Sequence, residues 1–357
     1  MSARTATELW ELLAAAGLTA GEMPAADDKH TPWYVRVMLG IAGLIAALFL
    51  LGFVGVGFAF VVESKTASIA VGLMVITAAY AIFRAGPRSE FGSMFALSVS
   101  IAGQALVIFG LFGMFDGAFR TGVPWATVAL FEAALAVMMP NFIHRVMSSF
   151  GAGYAFSFAC AVWGIQPVVP GIFAAAVAYL WLNELRLGKY HSAVAPIGYG
   201  LTLLFVQIEA TSRFGHTMAM MLGSRAAATD WPWFGETLAA AALFVSVWVM
   251  VRRAGWALAE KRAVLALAAA AAIGAVSLQA PGVAAGLMIT LLGFANANRV
   301  LTALGIMALL GYVSTYYYLL DATLLVKSGV LLATGLVLLA VRWMVLNVVM
   351  PREGQDA

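Results

Sequence analysis

Charge in this sequence is confined to short seams between long apolar stretches, and that pattern restricts the fold more than any other feature. Asp, Glu, Lys and Arg make up 10% of the 357 residues and hydrophobic residues 63%, whereas a soluble domain carries about a quarter charged residues. The apolar stretches run for roughly 14 to 29 residues, the scale of the roughly 20 residues a helix needs to cross a hydrocarbon core. A chain this apolar lacks the polar surface that contact with water requires, so its solvent is expected to be lipid. Lipid offers backbone amides no partner, which leaves helices or a closed barrel. Continuous apolar runs, without period-two alternation, select helices.

The expected fold is therefore all-α: a polytopic transmembrane helix bundle of about twelve spans. The spans are Tyr34–Val62, Thr66–Phe83, Phe91–Phe115, Gly122–Met139, Val146–Ile165, Val168–Leu182, Tyr190–Ile208, Trp233–Val251, Ala263–Leu278, Gly282–Ala295, Val300–Leu320 and Thr323–Asn347. They leave residues 1–33 as an N-terminal segment, residues 34–347 as the bundle and residues 348–357 as a short tail. Lys and Arg accumulate on the cytoplasmic side of a bilayer. Alternating the seams places 15 of them on the N-terminal side, among them Arg84, Arg88, Arg145, Arg252, Arg253 and Arg342. It places 5 on the other: Lys65, Arg120, Arg213, Arg225 and Lys327. Both termini are expected in the cytoplasm. Trp33, Tyr34, Trp125, Trp231, Trp233, Phe234 and Tyr316 to Tyr318 flank span ends, where interfacial aromatics belong.

Several smaller signals fit this frame. Glu8 to Ala16 reads as a short helix with Leu9, Leu12 and Leu13 on one face, stopped by Gly17. Thr19 and Glu22 have capping-box spacing, so the segment reads as a helical hairpin docked on the bundle or a partner. The first apolar run is too long for the core of a cleavable leader and reads as an anchor. The one cysteine, Cys160, reads as a small buried hydrophobe. An offset of 113 relates Gln166 to Gln279, Asn183 to Asn296, Arg186 to Arg299 and Gly198–Tyr199 to Gly311–Tyr312, as a parallel duplication of four-helix units would. Chance matching in an Ala/Gly/Leu-rich chain is the alternative. The loop holding His216, Met218, Met220 and Met221 could offer soft ligands to Cu(I), but its spacing matches no ligand pattern, and a loop helix lying on the membrane surface accounts for it. No metal and no cofactor is expected.

An ionisable group at membrane depth is costly and is the first place to look for function. Glu132 sits mid-span in VALFEAALAV, and Gln104 lies at similar depth in the preceding span. The two could meet in a helix pair, with Glu132 as a proton or cation site and Gln104 as its hydrogen-bond support; interhelical glue is the other reading. Asp116, Glu184, Glu209, Glu236 and Asp321 read as boundary residues in water or headgroups. Lys327 and Arg342 can snorkel from their spans. Asn296 and Asn298 are placed to hydrogen-bond between helices, and Ser149 and Gly153 to share a small-residue packing face. His30, His144, His191 and His216 fall in loops or near span ends, without metal-ligand spacing. The chain has no GxSxG, no HExxH and no phosphate loop, so neither a hydrolase nor a self-powered pump is indicated.

Two stretches carry a resemblance: PWYVRVMLGIAGLIAALFLLGF, residues 32–53, and YYYLLDATLLVKSGVLLATGLVLLAVRW, residues 316–343. Together they resemble an uncharacterised bacterial family of multi-pass inner-membrane proteins, domain of unknown function 4401. The resemblance directs attention to Tyr317, Asp321, Lys327, Ser328 and Arg342. It also implies a membrane partner carrying a GDYXXLXY domain, since related families are associated with such proteins. It implies no activity. The leading expectation is a non-enzymatic inner-membrane protein, a subunit of a membrane complex with no nucleic-acid partner. The alternative is a secondary transporter of a small or lipidic substrate, with Glu132 as its proton or cation site.

Overall fold

A computed structural model describes residues 6–17, 63–86, 90–115, 117–211, 233–278 and 280–319, with a few isolated positions besides. The regular structure there is helical throughout. The helices are α1 (Ala6–Ala15), α2 (Lys65–Arg84), α3 (Glu90–Met114), α4 (Gly122–Met138), α5 (Phe142–Val162), α6 (Val169–Leu182), α7 (His191–Thr211), α8 (Phe234–Arg253), α9 (Lys261–Ser277), α10 (Val283–Ala295) and α11 (Arg299–Leu319). The helices α2 to α11 coincide in position with the second to eleventh apolar stretches. The first and twelfth stretches lie almost wholly outside the described residues, as do Thr19 and Glu22 of the expected N-terminal hairpin. Among the described residues, four helices are long and apolar enough to cross a membrane by length and composition: residues 65–84, 91–114, 191–211 and 234–253.

The bundle is inverted relative to a soluble protein. Large apolar side chains such as Leu73, Leu130, Val137, Trp248, Val264 and Leu310 stand exposed on its outside, while Ser68, Ser100, Glu132, His144, Thr202, Glu209 and Glu236 are buried. An outer surface of this kind is stable against lipid and unstable against water. The chain is thus a membrane-associated helical protein.

Residues at the seams explain where helices stop. Asn141 caps α5, its Oδ1 accepting from the His144 N–H at 3.0 Å, and Pro140 before it cannot continue α4. The cap starts α5 four residues earlier than the apolar run suggests, at Phe142 and not at Val146. At the other end, α7 continues to Thr211, past the expected Ile208. Both differences carry polar residues into the packed interior.

Close helix contacts follow the small residues. Ser149 and Gly153 of α5 do share a packing face, and it lies on α7: a Cβ at Gly153 would stand 2.1 Å from Leu204, and one at Gly200 would stand 1.9 Å from Ser149 Oγ. The pairing of 149 with 200 and 153 with 204 makes α5 and α7 parallel. Gly293 and Gly305 likewise seat against Thr302 and Thr290 across the α10–α11 hairpin.

Two short helices form the centre. α6 has 14 residues and α10 has 13, each about 20 Å at 1.5 Å per residue and so shorter than a hydrocarbon core of about 30 Å. Their faces bury Phe173, Val177 and Trp181 on α6, and Met288, Ile289 and Leu292 on α10. Each begins at a Pro-Gly pair, Pro170–Gly171 and Pro281–Gly282, and each ends on an asparagine cap, Asn183 and Asn296. The caps lie 113 positions apart, the offset noted in the sequence. Packing does not repeat as fully: α5 runs closely along α7, while α9 and α11, their counterparts, share no comparable interface. The asparagines do tie helices together as expected. Asn296 Nδ2 donates to Trp181 O at 2.8 Å, and Asn298 Oδ1 accepts from the Tyr199 hydroxyl at 2.9 Å. Cys160 is fully buried in the core.

Candidate functional site

Glu132 occupies the face of α4 that packs on α5, where Gly151 leaves room for its carboxyl group: a Cβ on that glycine would stand 3.7 Å from Glu132 Cδ. The side chain is 4% exposed. Ser148, one turn before Gly151, sets its hydroxyl beside the carboxyl group. Its Oε2 has no hydrogen-bond partner among the described residues.

Gln104 belongs to the same site but does not meet Glu132. Its Nε2 lies 2.9 Å from His144 Nε2 and 3.4 Å from Ser100 Oγ, and Ser100 Oγ lies 2.7 Å from the same imidazole nitrogen. The other ring nitrogen, Nδ1, faces Ser148 Oγ at 3.4 Å. With Gln104 donating to Nε2, the ring proton sits on Nδ1 and points at Ser148, whose hydroxyl is then free to donate to Glu132. The expected pair is thus joined through His144 and Ser148, which stand between the two residues. The correction is physical: α3 and α4 touch only slightly, and two side chains from the start of α5, His144 and Ser148, bridge the distance between the residues.

His144 is the residue that sequence reasoning misplaced. It reads as a span-end histidine, yet it is 1% exposed and rests its ring edge-to-face with Phe83, centroids 6.2 Å apart. The signal that could have found it is the Asn141 cap three residues earlier, which turns a seam residue into the first turn of a helix.

The polar row has a direction. It begins at the helix ends, where Asn141 Nδ2 donates to Ser93 Oγ at 3.2 Å. There Arg145 bridges Met139 O of the α4 end and Ser192 O at the start of α7. It passes through His144, Ser100, Gln104 and Ser148 and stops at Glu132, about halfway along α4. Beyond Glu132 the same interface turns apolar and aromatic. Val128, Ala129 and Ala155 follow, and then Trp125, stacked on Phe158 at 4.5 Å and edge-on to Phe112 at 4.7 Å. Among the described residues, hydrogen-bonding side chains approach Glu132 from the Arg145 end, and aromatic rings fill the opposite end of the interface.

The remaining expectations sort as follows. Glu209 and Glu236, near the end of α7 and the start of α8, are not solvated boundary residues: they are 2% and 6% exposed, and their carboxyl groups lie close enough to act on each other electrostatically. Glu184 does stay at a helix end, with Oε1 3.8 Å from His191 Nδ1. Tyr317 is half-buried near the end of α11, and Ser328 donates to Leu325 O at 2.8 Å. Asp116, Asp321, Lys327, Arg342 and the loop with His216, Met218, Met220 and Met221 lie outside the described residues.

No curated protein matches this chain, and no solved structure does. A family model, Domain of unknown function (DUF4401), matches residues 32–348. The match covers most of the chain, and the protein belongs to that family.

Proposed function

We propose that this member of the DUF4401 family is a multi-pass protein of a bacterial inner membrane that works as a secondary transporter, with Glu132 taking up and releasing a proton or small cation. One observation carries the reading: a deeply buried carboxyl group, with one oxygen unpartnered among the described residues, ends a one-sided row of hydrogen-bonding side chains. Such a row lets a proton reach the carboxyl group from one side while the aromatic rings hold the other side shut, which is the asymmetry alternating access requires. Helix glue alone needs no route to a helix end. The topology proposed with it has twelve spans and both termini in the cytoplasm, supported by the 15-to-5 division of basic residues. That places the Arg145 end of the row on the cytoplasmic side.

The test is flux in proteoliposomes with an internal pH dye, comparing the intact chain with Glu132→Gln, which keeps size and hydrogen bonding. The expected result is gradient-driven proton movement in the first and a drop of about tenfold or more in the second. Unchanged flux in Glu132→Gln would remove Glu132 from the mechanism. Absence of flux under any gradient, together with stable co-purification of a GDYXXLXY-domain protein, would replace transport with the complex-subunit reading. Reporter fusions after Arg88 and Arg253 should report inside, and fusions after Asp116 and Arg225 outside; the reverse would overturn the orientation.

A further inference from the structure

The seam that joins α8 to α9 concentrates positive charge in a chain that has little. Between positions 252 and 262 stand Arg252, Arg253, Lys261 and Arg262, with Glu260 as the one acid. All of them are exposed, and so are Trp256 and Leu258 between them. We propose that this seam binds the headgroup of an anionic phospholipid, with the phosphodiester held by Arg252, Lys261 and Arg262 and the acyl chains lying along the outer faces of α8 and α9.

The seam sits at headgroup depth. Val245 and Trp248 stand on the outside of α8, 50% and 39% exposed, and Arg252 follows on the same helix face. Val264 and Leu265 stand outside on α9, about one turn after Lys261. Outward apolar side chains on a membrane helix face hydrocarbon, so the cations lie where hydrocarbon gives way to headgroups. The guanidinium carbon of Arg252 is 5.4 Å from the centre of the Trp248 ring. That contact, favourable between a cation and a ring face, holds the charge just beyond a tryptophan placed as interfacial tryptophans are. Trp256 and Leu258 add an aromatic and an aliphatic side chain among the cations. A surface that is basic and apolar at once matches a ligand that is acidic at its head and apolar in its body.

The hydrogen bonds around the seam divide its charges into structural and available ones. Glu260 turns its carboxylate into the loop, where it accepts from the Ala257 N–H at 2.9 Å. Glu184, at the end of α6, faces His191, with Oε1 3.8 Å from Nδ1. Arg253 is committed to the fold: its guanidinium donates to Leu182 O and, at 3.4 Å, to Asn183 Oδ1, which ties the end of α8 to the end of α6. That tie fixes the seam in place and leaves Arg252, Lys261 and Arg262 as its outward cations. Guanidinium and ammonium groups bind phosphate oxygens through charge-assisted hydrogen bonds, and basic clusters beside membrane helices recognise anionic headgroups in this way. The proposal needs only bilayer depth, so it stands apart from the role of Glu132 and from the orientation of the chain.

The test is native mass spectrometry of the full chain in detergent, with dioleoyl phosphatidylglycerol and dioleoyl phosphatidylcholine added in equal amounts. Expected is retention of the anionic lipid over the zwitterionic one by about fivefold or more. The Lys261→Gln/Arg262→Gln double variant should lose that preference, and Arg252→Gln, a single change on the other helix, should lower it by about fivefold. Arg84→Gln with Arg120→Gln removes two exposed cations from other seams and should keep the preference within about twofold of the intact chain. Glycerol 3-phosphate at millimolar concentration should leave the lipid adducts in place. Equal retention of the two lipids, an unchanged preference in the Lys261/Arg262 double variant, or an equal loss in the Arg84/Arg120 variant would each overturn the proposal. Displacement of the lipid by glycerol 3-phosphate would also overturn it, in favour of a soluble phosphate ligand.

Discussion

Replacing Gly103 by alanine tests whether glycine is what lets α2 and α3 approach. A Cβ at Gly103 would stand 2.8 Å from Gly72 O and 2.7 Å from Ile76 Cγ1, and a Cβ at Gly72 would stand 2.7 Å from Gly103 O. The opposing atoms include backbone, so side-chain rotation cannot relieve the overlap. Restoring ordinary contact near 3.4 Å requires the helices to part by about 0.6 Å, and gaps of about 0.5–1 Å forfeit a quarter to a half of the dispersion attraction across the seam. Overpacking of this kind costs about 1–3 kcal/mol, opposed by alanine's better helix propensity, up to about 1 kcal/mol. Gly311→Ala has the same propensity gain and meets nothing within 4 Å, so the difference between the two variants isolates the steric cost. Cys160, the one cysteine and fully buried, makes a thiol-reactive dye a reporter of unfolding. Gly103→Ala is expected to unfold on the order of 5 °C below Gly311→Ala, at about 2–4 °C per kcal/mol. The same displacement relieves both overlaps, so adding Gly72→Ala should cost clearly less than it does alone. A Gly103→Ala protein as stable as Gly311→Ala would refute the close-packing account. Because Gln104 adjoins Gly103, the variant should also reduce proton flux.

Two further outcomes can be checked with the same dye. Arg145→Lys exchanges a planar fork bridging α4 to α7 for a point charge that cannot reach both ends; a loss of about 1–3 kcal/mol is expected, and an unchanged transition would show that the bridge carries no stability. Thr202→Val keeps volume but strips the acceptor from the Trp181 indole N–H, a buried bond of 3.0 Å; it should cost about 1–3 kcal/mol, and neutrality would mean that the indole finds another partner.

Much of the helical layout was legible because lipid makes run length informative. A backbone crossing apolar surroundings must satisfy its own amides, so an apolar run and a helix become nearly the same object. The places where run length misleads are caps. Asn141 starts α5 inside a seam and carries His144 into the core, and α7 passes Ile208 and carries Glu209 inward. Neither shift alters apolar content enough to register in a run of hydrophobic residues.

What the sequence by itself determined is therefore the class of solvent, the helical character of the chain and the identity of Glu132 as a costly buried acid, since each depends on composition and spacing along one chain. Only the tertiary structure decided that Gln104 reaches Glu132 through His144 and Ser148, and that Glu209 and Glu236 are buried close to each other. Those arrangements depend on which helices touch and at what height. Helices whose outsides are all apolar carry no stripe to announce their neighbours, so that choice rests on glycine approaches and buried hydrogen bonds spread across the whole bundle.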